Sequence, residues 1–312
     1  MDRFGFVLRR PLELIPVLIG ISVVTFALIH LLPGNPAQVL LGPRTSARAL
    51  AAIEHEYGLD KPIVVQYFYF VANLLHGRLG SSVVYKAPVF EVIGGHVLPT
   101  VFLVVYSVLL SVIGSVVLAL IAALKEGRIL DHLVRVFSTV GLGLPAFWIG
   151  VVFMMVFGVR LGWFPVSGFG QGFWGHVYYL FMPALTIALA LIPILTRNLR
   201  ANLLKESRAD YVVAAKSKGI SRAVIWRTHI FRNSLLATVN LLGVTVSWLI
   251  GGTVVVETVF SVPGLGHLMV SSIFTRDYLV VEAVTMILAL GIVGVNFLVD
   301  IATALLDPRV EL

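Results

Sequence analysis

An all-α integral membrane protein with six transmembrane helices is the fold the sequence predicts, and three observations carry it. The chain of 312 residues is 58% hydrophobic and 12% charged, with a mean hydropathy of +0.97, too little polar surface for a soluble domain of that length. Six apolar stretches reach the roughly 20 residues needed to cross the hydrocarbon core. The basic residues gather in particular loops, so the net charge of +7 reads as a topology signal rather than as affinity for nucleic acid.

The predicted spans are Leu12–Leu32, Val101–Leu124, Phe137–Val159, Val177–Thr196, Leu235–Val256 and Ala283–Leu305. The first follows Arg9 and Arg10, as a signal peptide would. It is long enough to span and runs into Pro33-Gly34-Asn35-Pro36 instead of a small-residue cleavage site, so it reads as an uncleaved helix. Sixteen of the 23 Lys and Arg fall on the side of the N-terminus: Arg3, Arg9, Arg10, Lys125, Arg128, Arg135, nine between Arg197 and Arg232, and Arg309. That side is expected to be cytoplasmic, with both termini on it. The expected layout is a cytoplasmic N-terminus at 1–11, the first span, an extracytoplasmic loop at 33–100, a five-helix core at 101–306 and a cytoplasmic C-terminus at 307–312. The core includes a cytoplasmic loop at 197–234.

Two short helices are expected in the outer loop. Ser46–Tyr57 is amphipathic and stopped by Gly58; Pro62 to Leu75 is nearly apolar, opened by Pro62 and stopped near Gly77. The second is too short to span, and Tyr67, Phe68, Tyr69 and Phe70 read as an aromatic belt at headgroup level or a partner surface. Within the spans, Pro145, Pro183 and Pro193 each free a backbone carbonyl and bend their helix.

The segment Asp210-Tyr-Val-Val-Ala-Ala-Lys-Ser-Lys-Gly219 lies in the basic loop and reads as an isolated helix of about two turns. Asp210 is expected to cap it and Gly219 to end it in the left-handed conformation. Ala214 and Ala215 are small enough for close seating in a cleft, and Lys216 and Lys218 hold it off the bilayer. Ser221 offers a cap for a second helix, Arg222 to Phe231. Charge alone would make this loop an inner-leaflet anchor; the punctuation gives it a defined shape.

Several chemistries are excluded or disfavoured. There is no cysteine, hence no disulfide, thiol catalysis or thiolate metal site. The eight histidines form no i, i+4 pair or carboxylate-flanked cluster, so no metal site is expected. No Gly-x-x-x-x-Gly-Lys-Ser/Thr occurs, so the chain is not expected to hydrolyse ATP or bind a cofactor itself. An ion-coupled secondary transporter wants ionisable groups deep in the membrane. Here Glu13, His30, Glu257, Glu282 and Asp300 lie near span ends and read as capped or interfacial. Ser22 in the first span has no histidine at its depth, which disfavours an intramembrane hydrolase.

The residues also carry a family resemblance. Ala209-Asp-Tyr-Val-Val-Ala-Ala-Lys-Ser-Lys-Gly-Ile followed by His229-Ile-Phe-Arg-Asn-Ser-Leu235 resembles the cytoplasmic coupling loop of bacterial ABC importer permeases, in detail the B-type permease of the dipeptide/oligopeptide/nickel class. Arg9-Arg10 with Ile15-Pro16, Leu32-Pro-Gly-Asn-Pro36, Tyr57-Gly-Leu-Asp-Lys-Pro-Ile63, Pro145-Ala-Phe-Trp148, Leu161-Gly-Trp-Phe-Pro165, Gly251-Gly-Thr253 through Phe260, Pro263-Gly-Leu-Gly266, Arg276-Asp-Tyr278 and Asn296 to Arg309 fit the same pattern. The resemblance implies a type I importer fold pairing with a homologous second permease, two cytoplasmic ATPase subunits that use the ATP, and an extracytoplasmic solute-binding protein. It implies dipeptides or short oligopeptides as cargo, with nickel chelates, glutathione or another small solute as the alternative. Asp210, Tyr211, Val213, Ala214, Ala215, Lys218 and Gly219 would form the ATPase-coupling helix, with Ala214, Ala215 and Gly219 making the contact; Glu257 and Asp300 would serve structure or gating. Val213 stands where the wider superfamily has Glu, and Arg78 where relatives have Asp.

Overall fold

The computed structural model describes residues 15–27, 60–82 and 84–306, with the side chains at 236, 237, 300 and 302–306 left aside. The expected helix Ser46–Tyr57, both termini, Glu13, His30 and the two ends of the first span lie outside the described residues. The regular structure among the described residues is helical, joined by turns and loops, with one isolated β-bridge, Ser81 to Pro88. In order the helices are α1 (Ile15–Ala27), α2 (Ile63–Leu75), α3 (Val89–Leu124), α4 (Ile129–Gly143), α5 (Ala146–Phe153), α6 (Gly172–Ser207), α7 (Asp210–Ser217), α8 (Arg222–Val224), α9 (Phe231–Val259), α10 (Leu265–Thr275) and α11 (Tyr278–Leu306). By length and composition α3, α6, α9 and α11 can each cross a membrane, and α4 with α5 make a fifth candidate.

That fifth candidate corrects the expectation of one span over Phe137–Val159. The chain bends by 101° between Ile129–Gly143 and Ala146–Arg160. Leu144, held extended by the proline that follows it (φ −93°, ψ 123°), ends α4, and Pro145 opens α5. By contrast Pro183 and Pro193 are carried within the continuous α6. Helix α3 begins at Val89, twelve residues before the predicted span, and accommodates Pro99. The expected second helix of the basic loop is not separate: α8 passes through a π-helical stretch, Ile225–Ile230, straight into α9. No glycine or proline interrupts the sequence between Arg222 and Leu242, so nothing stops the helix there.

The described residues divide into two compact units. One holds Phe102–Phe260 and the end of α11 from Gly294. Its centre is α6, whose most apolar window is 67% buried, against 22–39% in the other three long helices. Packing here inverts the soluble pattern. On α3 the buried row is Leu103, Ser107, Ser111, Ser115 and Ala119, whereas Val105, Leu109, Ile113 and Val117 are exposed. Lipid is as apolar as leucine, so small residues mark the contacts and large ones face the hydrocarbon. The serines cost little because Ser107 and Ser111 donate to the carbonyls of Leu103 and Ser107, at 2.7 and 2.6 Å. Glycines let helices approach: a Cβ on Gly114 would lie 2.7 Å from Ile192 Cδ1, and one on Gly141 2.7 Å from Pro193 Cγ.

The other unit holds the described residues up to Val101 together with Ser261–Val293. Helix α2 is opened by Pro62 and followed by Gly77 at φ +68°, as expected. The four aromatics divide. Tyr67 shares a 2.7 Å hydrogen bond with Ser22 and, with Phe70, packs on Phe26 of α1, whereas Phe68 and Tyr69 are exposed. A turn from Ser81 to Pro88 follows, fastened by the Ser82 hydroxyl donating to Asp277, both buried. Val89, Ile93, Leu265, Leu268, Val280 and Val284 form this unit's core, and Thr100 Oγ1 accepts the Leu265 N–H at the start of α10 (2.7 Å).

The close approaches give a direct test. A Cβ on Gly243 would collide with Val299 Cγ1 and stand 3.0 Å from Val299 Cβ and Cγ2, whereas one on Gly251 meets nothing within 4 Å. Gly243→Ala is expected to destabilise the detergent-solubilised protein by ~1–3 kcal/mol, the range for overpacking. Gly251→Ala is expected to cause no loss. Thermal unfolding of both variants checks the pair.

Candidate coupling site

Helix α7 follows α6 after a two-residue turn. Ala209, extended at φ −70° and ψ 148°, occupies the N-cap, and no side chain caps the helix. The expectation that Asp210 caps it is therefore corrected. Asp210 is the first helical residue, where its carboxylate meets the positive end of the helix dipole. The other end is as expected. Gly219 has φ +75°, its N–H bonds to the Lys216 carbonyl at 3.0 Å, and the Ile220 N–H reaches Ala215 at 3.2 Å. This reciprocal pair is a Schellman stop. A Cβ on Gly219 would meet nothing within 4 Å, so the glycine is required by backbone conformation and not by crowding.

The two alanines part company. Val212 and Ala215 are buried, packed with Ala119 and Ala123 of α3, Leu199 and Leu203 of α6, and Ile225 and Ile230. Positions three apart share a helix face, so Ala215 must follow Val212 inward. Its expected contact with a partner is corrected: Ala215 seats α7 on the chain's own body. The face turned outward carries Tyr211, Val213, Ala214, Ser217 and Lys218, all exposed.

Polar contacts hold the helix in that orientation. The Tyr211 hydroxyl donates to Glu206 at the end of α6 (2.5 Å) and accepts from Asn233 Nδ2 of α9 (3.3 Å), and its ring meets His229 edge-on at 6.2 Å. Partial burial, then the bond to Glu206, hold the phenol above the ordinary tyrosine range. It therefore stays a neutral donor at physiological pH. Below lies a contact that sequence reading missed. Arg200 forks onto Asp131 of α4, Nε to Oδ1 at 2.7 Å and Nη2 to Oδ2 at 2.8 Å, while the Gly127 N–H donates to Oδ2 at 3.1 Å. Asp131 is 1% exposed, so the bidentate partner is what makes its charge tolerable there. The signal was in the sequence: Asp131, Val134 and Ser138 repeat at the spacing of one helix face, and all three are buried. Arg208 also reaches Glu126 at 2.6 Å, but both are largely exposed and the pair contributes little.

Of the other predicted positions, Glu257 is fully buried near the end of α9. That places a carboxylate where only hydrogen-bonded surroundings can hold it. Asp300 lies within α11. Among the described residues no cluster of His, Asp and Glu has the arrangement of a metal site.

Residues 115–312 match the family described as the binding-protein-dependent transport system inner membrane component, and residues 3–95 match that family's N-terminal membrane component. The chain belongs to this family. The permease is also 34% identical over 307 residues to the glutathione transport system permease protein GsiC of Salmonella typhimurium, covering 98% of this chain and 99% of that one, and equally to GsiC of Escherichia coli K12. Two solved structures share its fold. The inward-facing MetNI methionine ABC transporter matches with a TM-score of 0.56 at 16% identity, over 70% of this chain and 97% of that one. An amino acid ABC transporter with histidines matches at 0.54 and 14%, over 69% and 94%. The permease is thus the multi-pass inner-membrane subunit of an ABC importer.

The opposite orientations of the two alanines are testable. Ala215→Phe is expected to destabilise the permease by ~1–3 kcal/mol through overpacking. Ala214→Phe, on the open face, is expected to stay within about 0.5 kcal/mol. Thermal unfolding of the two solubilised variants separates them.

Proposed function

We propose that this permease forms half of a translocation pathway for short peptides, either dipeptides and oligopeptides or glutathione, which is itself a tripeptide. The observation that carries the cargo class is the likeness along the whole chain to permeases named for glutathione transport, in agreement with the peptide-class motifs in the sequence. A homologous second permease supplies the other half, and an extracytoplasmic binding protein delivers the solute. Two ATPase subunits sit below the permease pair, one of them under α7, on the cytoplasmic side set by the basic loops.

The geometry of α7 supports the ATPase contact. An eight-residue helix with one face locked to the permease and the other open is a rigid insert for a groove. ATP-driven closure of the ATPase pair then acts through differential contacts with that face, biasing the bundle between inward and outward cavities. The exposed small Ala214 permits close seating, and Val213, where the superfamily has Glu, makes that contact apolar. Asp210 at the start of the helix supplies the remaining negative charge.

Reconstitution of the assembled importer tests the cargo. Proteoliposomes with ATP on the cytoplasmic face and the binding protein opposite are expected to accumulate labelled glutathione or a dipeptide at least about tenfold over ATP-free controls. Accumulation of nickel chelate or oligosaccharide alone would remove the peptide reading. Uptake independent of ATP would remove the importer mechanism. In the same preparation Ala214→Arg is expected to leave membrane insertion intact and to reduce recovery of the ATPase subunits.

A further inference from the structure

The basic end of α6 touches three other segments at once. Glu206 receives the Tyr211 hydroxyl of α7, Arg200 forks onto Asp131 of α4, and Leu199 and Leu203 share with Ala119 and Ala123 of α3 the cluster that buries Val212 and Ala215. Helix α4 thus meets α6 at two places. At one, Gly141 lies so close to Pro193 that a Cβ would stand 2.7 Å from the proline Cγ. At the other, ten residues earlier on α4 and seven later on α6, stands the Asp131 fork. Because the order reverses, the two helices run antiparallel, in close approach at Gly141 and fastened by the ion pair at Asp131. The Asp131 carboxylate is oriented by the Gly127 N–H on Oδ2, with Arg135 of the same helix 3.8 Å away.

From this geometry we infer that the Asp131–Arg200 pair makes α4 travel with α6 and α7 as one body, so that motion imposed on α7 reaches the broken span. In sequence α7 adjoins only α6 and α8; α4 lies some seventy residues upstream. A part-buried fork with two parallel hydrogen bonds has one geometry and resists sliding, unlike an apolar contact, which tolerates it. Gly141 offers no side chain to grip Pro193, so that end acts as a pivot and the ion pair as the fixed point. Displacement of α4 then arrives at Leu144 and Pro145, where the chain turns by 101° into α5. Asp131 and Arg200 are positioning residues: neither touches cargo or ATP. The inference rests on the reading of α7 as the coupling helix.

The chain has no cysteine, so introduced ones report only their own positions. Spin labels at Val136→Cys on the exposed side of α4 and Ser217→Cys on the open side of α7 measure the separation of the two helices. Pulsed EPR is recorded on the assembled importer in lipid nanodiscs, nucleotide-free and trapped with ATP and vanadate, which requires no knowledge of the cargo. With the pair intact the separation is expected to be the same in both states. With Arg200→Ala, or with Arg200→Lys, which keeps the charge and loses the fork, it is expected to shift by several ångströms on trapping. The exchange Asp131→Arg with Arg200→Asp is expected to restore the constant separation at least in part. A purely structural pair would change stability and leave the separation identical in the two states. The inference is overturned if the separation shifts equally with and without the pair, or if it stays constant in Arg200→Lys while Ser217→Cys crosslinks to an ATPase subunit. Absence of that crosslink in every state would overturn the coupling reading itself, and this inference with it.

Discussion

Helix α6 can stand at the centre of its unit only because its neighbours carry little bulk where they cross it. In lipid, burying a leucine against another helix gains little over leaving it among acyl chains. Close packing therefore has to come from contact distance and from the few polar groups that cannot face hydrocarbon. The serine row on α3, Gly114 under Ile192, Gly141 under Pro193 and Gly150 within reach of Thr186 and Phe260 all express that constraint. Where α6 leaves the packed region the constraint changes. Arg200, Glu206 and Arg208 meet partners on three segments, and the helix end becomes a junction of polar contacts instead of a packed rod.

This change of character suits the importer subunit. Small side chains let helices shift against one another with few interlocking surfaces to disengage. A bidentate ion pair and a tyrosine bridge hold a fixed arrangement. The permease thus joins a bundle packed on small residues to a short helix held against rolling, as the proposed coupling role requires, because an element that rotated on its own seat would transmit nothing. Val212 and Ala215 fix the roll, Tyr211 fixes the start, and the Schellman turn at Gly219 fixes the end.

Much of this was legible in the sequence, for reasons particular residues make clear. Apolar length marked the long helices, Pro62 and Gly77 bracketed α2, and Gly219 marked the stop of α7, because each is a local property of the chain. The direction in which α7 faces was not local. Ala214 and Ala215 are identical in kind, and only the neighbours Ala119, Leu199 and Ile225, remote in sequence, select which turns inward. Asp210 looked like a cap because its residue type favours that role, but Ala209 is the residue left extended. The helical spacing of Asp131, Val134 and Ser138 marks a face of α4, but nothing local names Arg200 as its partner, and their pairing is a product of how α4 lies on α6. The bend at Pro145 was visible as a proline and not as a break, since Pro183 and Pro193 show that the same residue can sit in an unbroken helix.

The central claim is that α7 is a fixed helix with one face on the permease and the other presented to the cytoplasm. Single cysteines from position 210 to 219, probed with a membrane-impermeant thiol reagent in vesicles of both orientations, test it most directly, and the chain supplies no background thiol. The account predicts labelling at Val213, Ala214 and Ser217, protection at Val212 and Ala215, and reaction only from the cytoplasmic side. Uniform labelling along the segment, or labelling from the outer side, would contradict it.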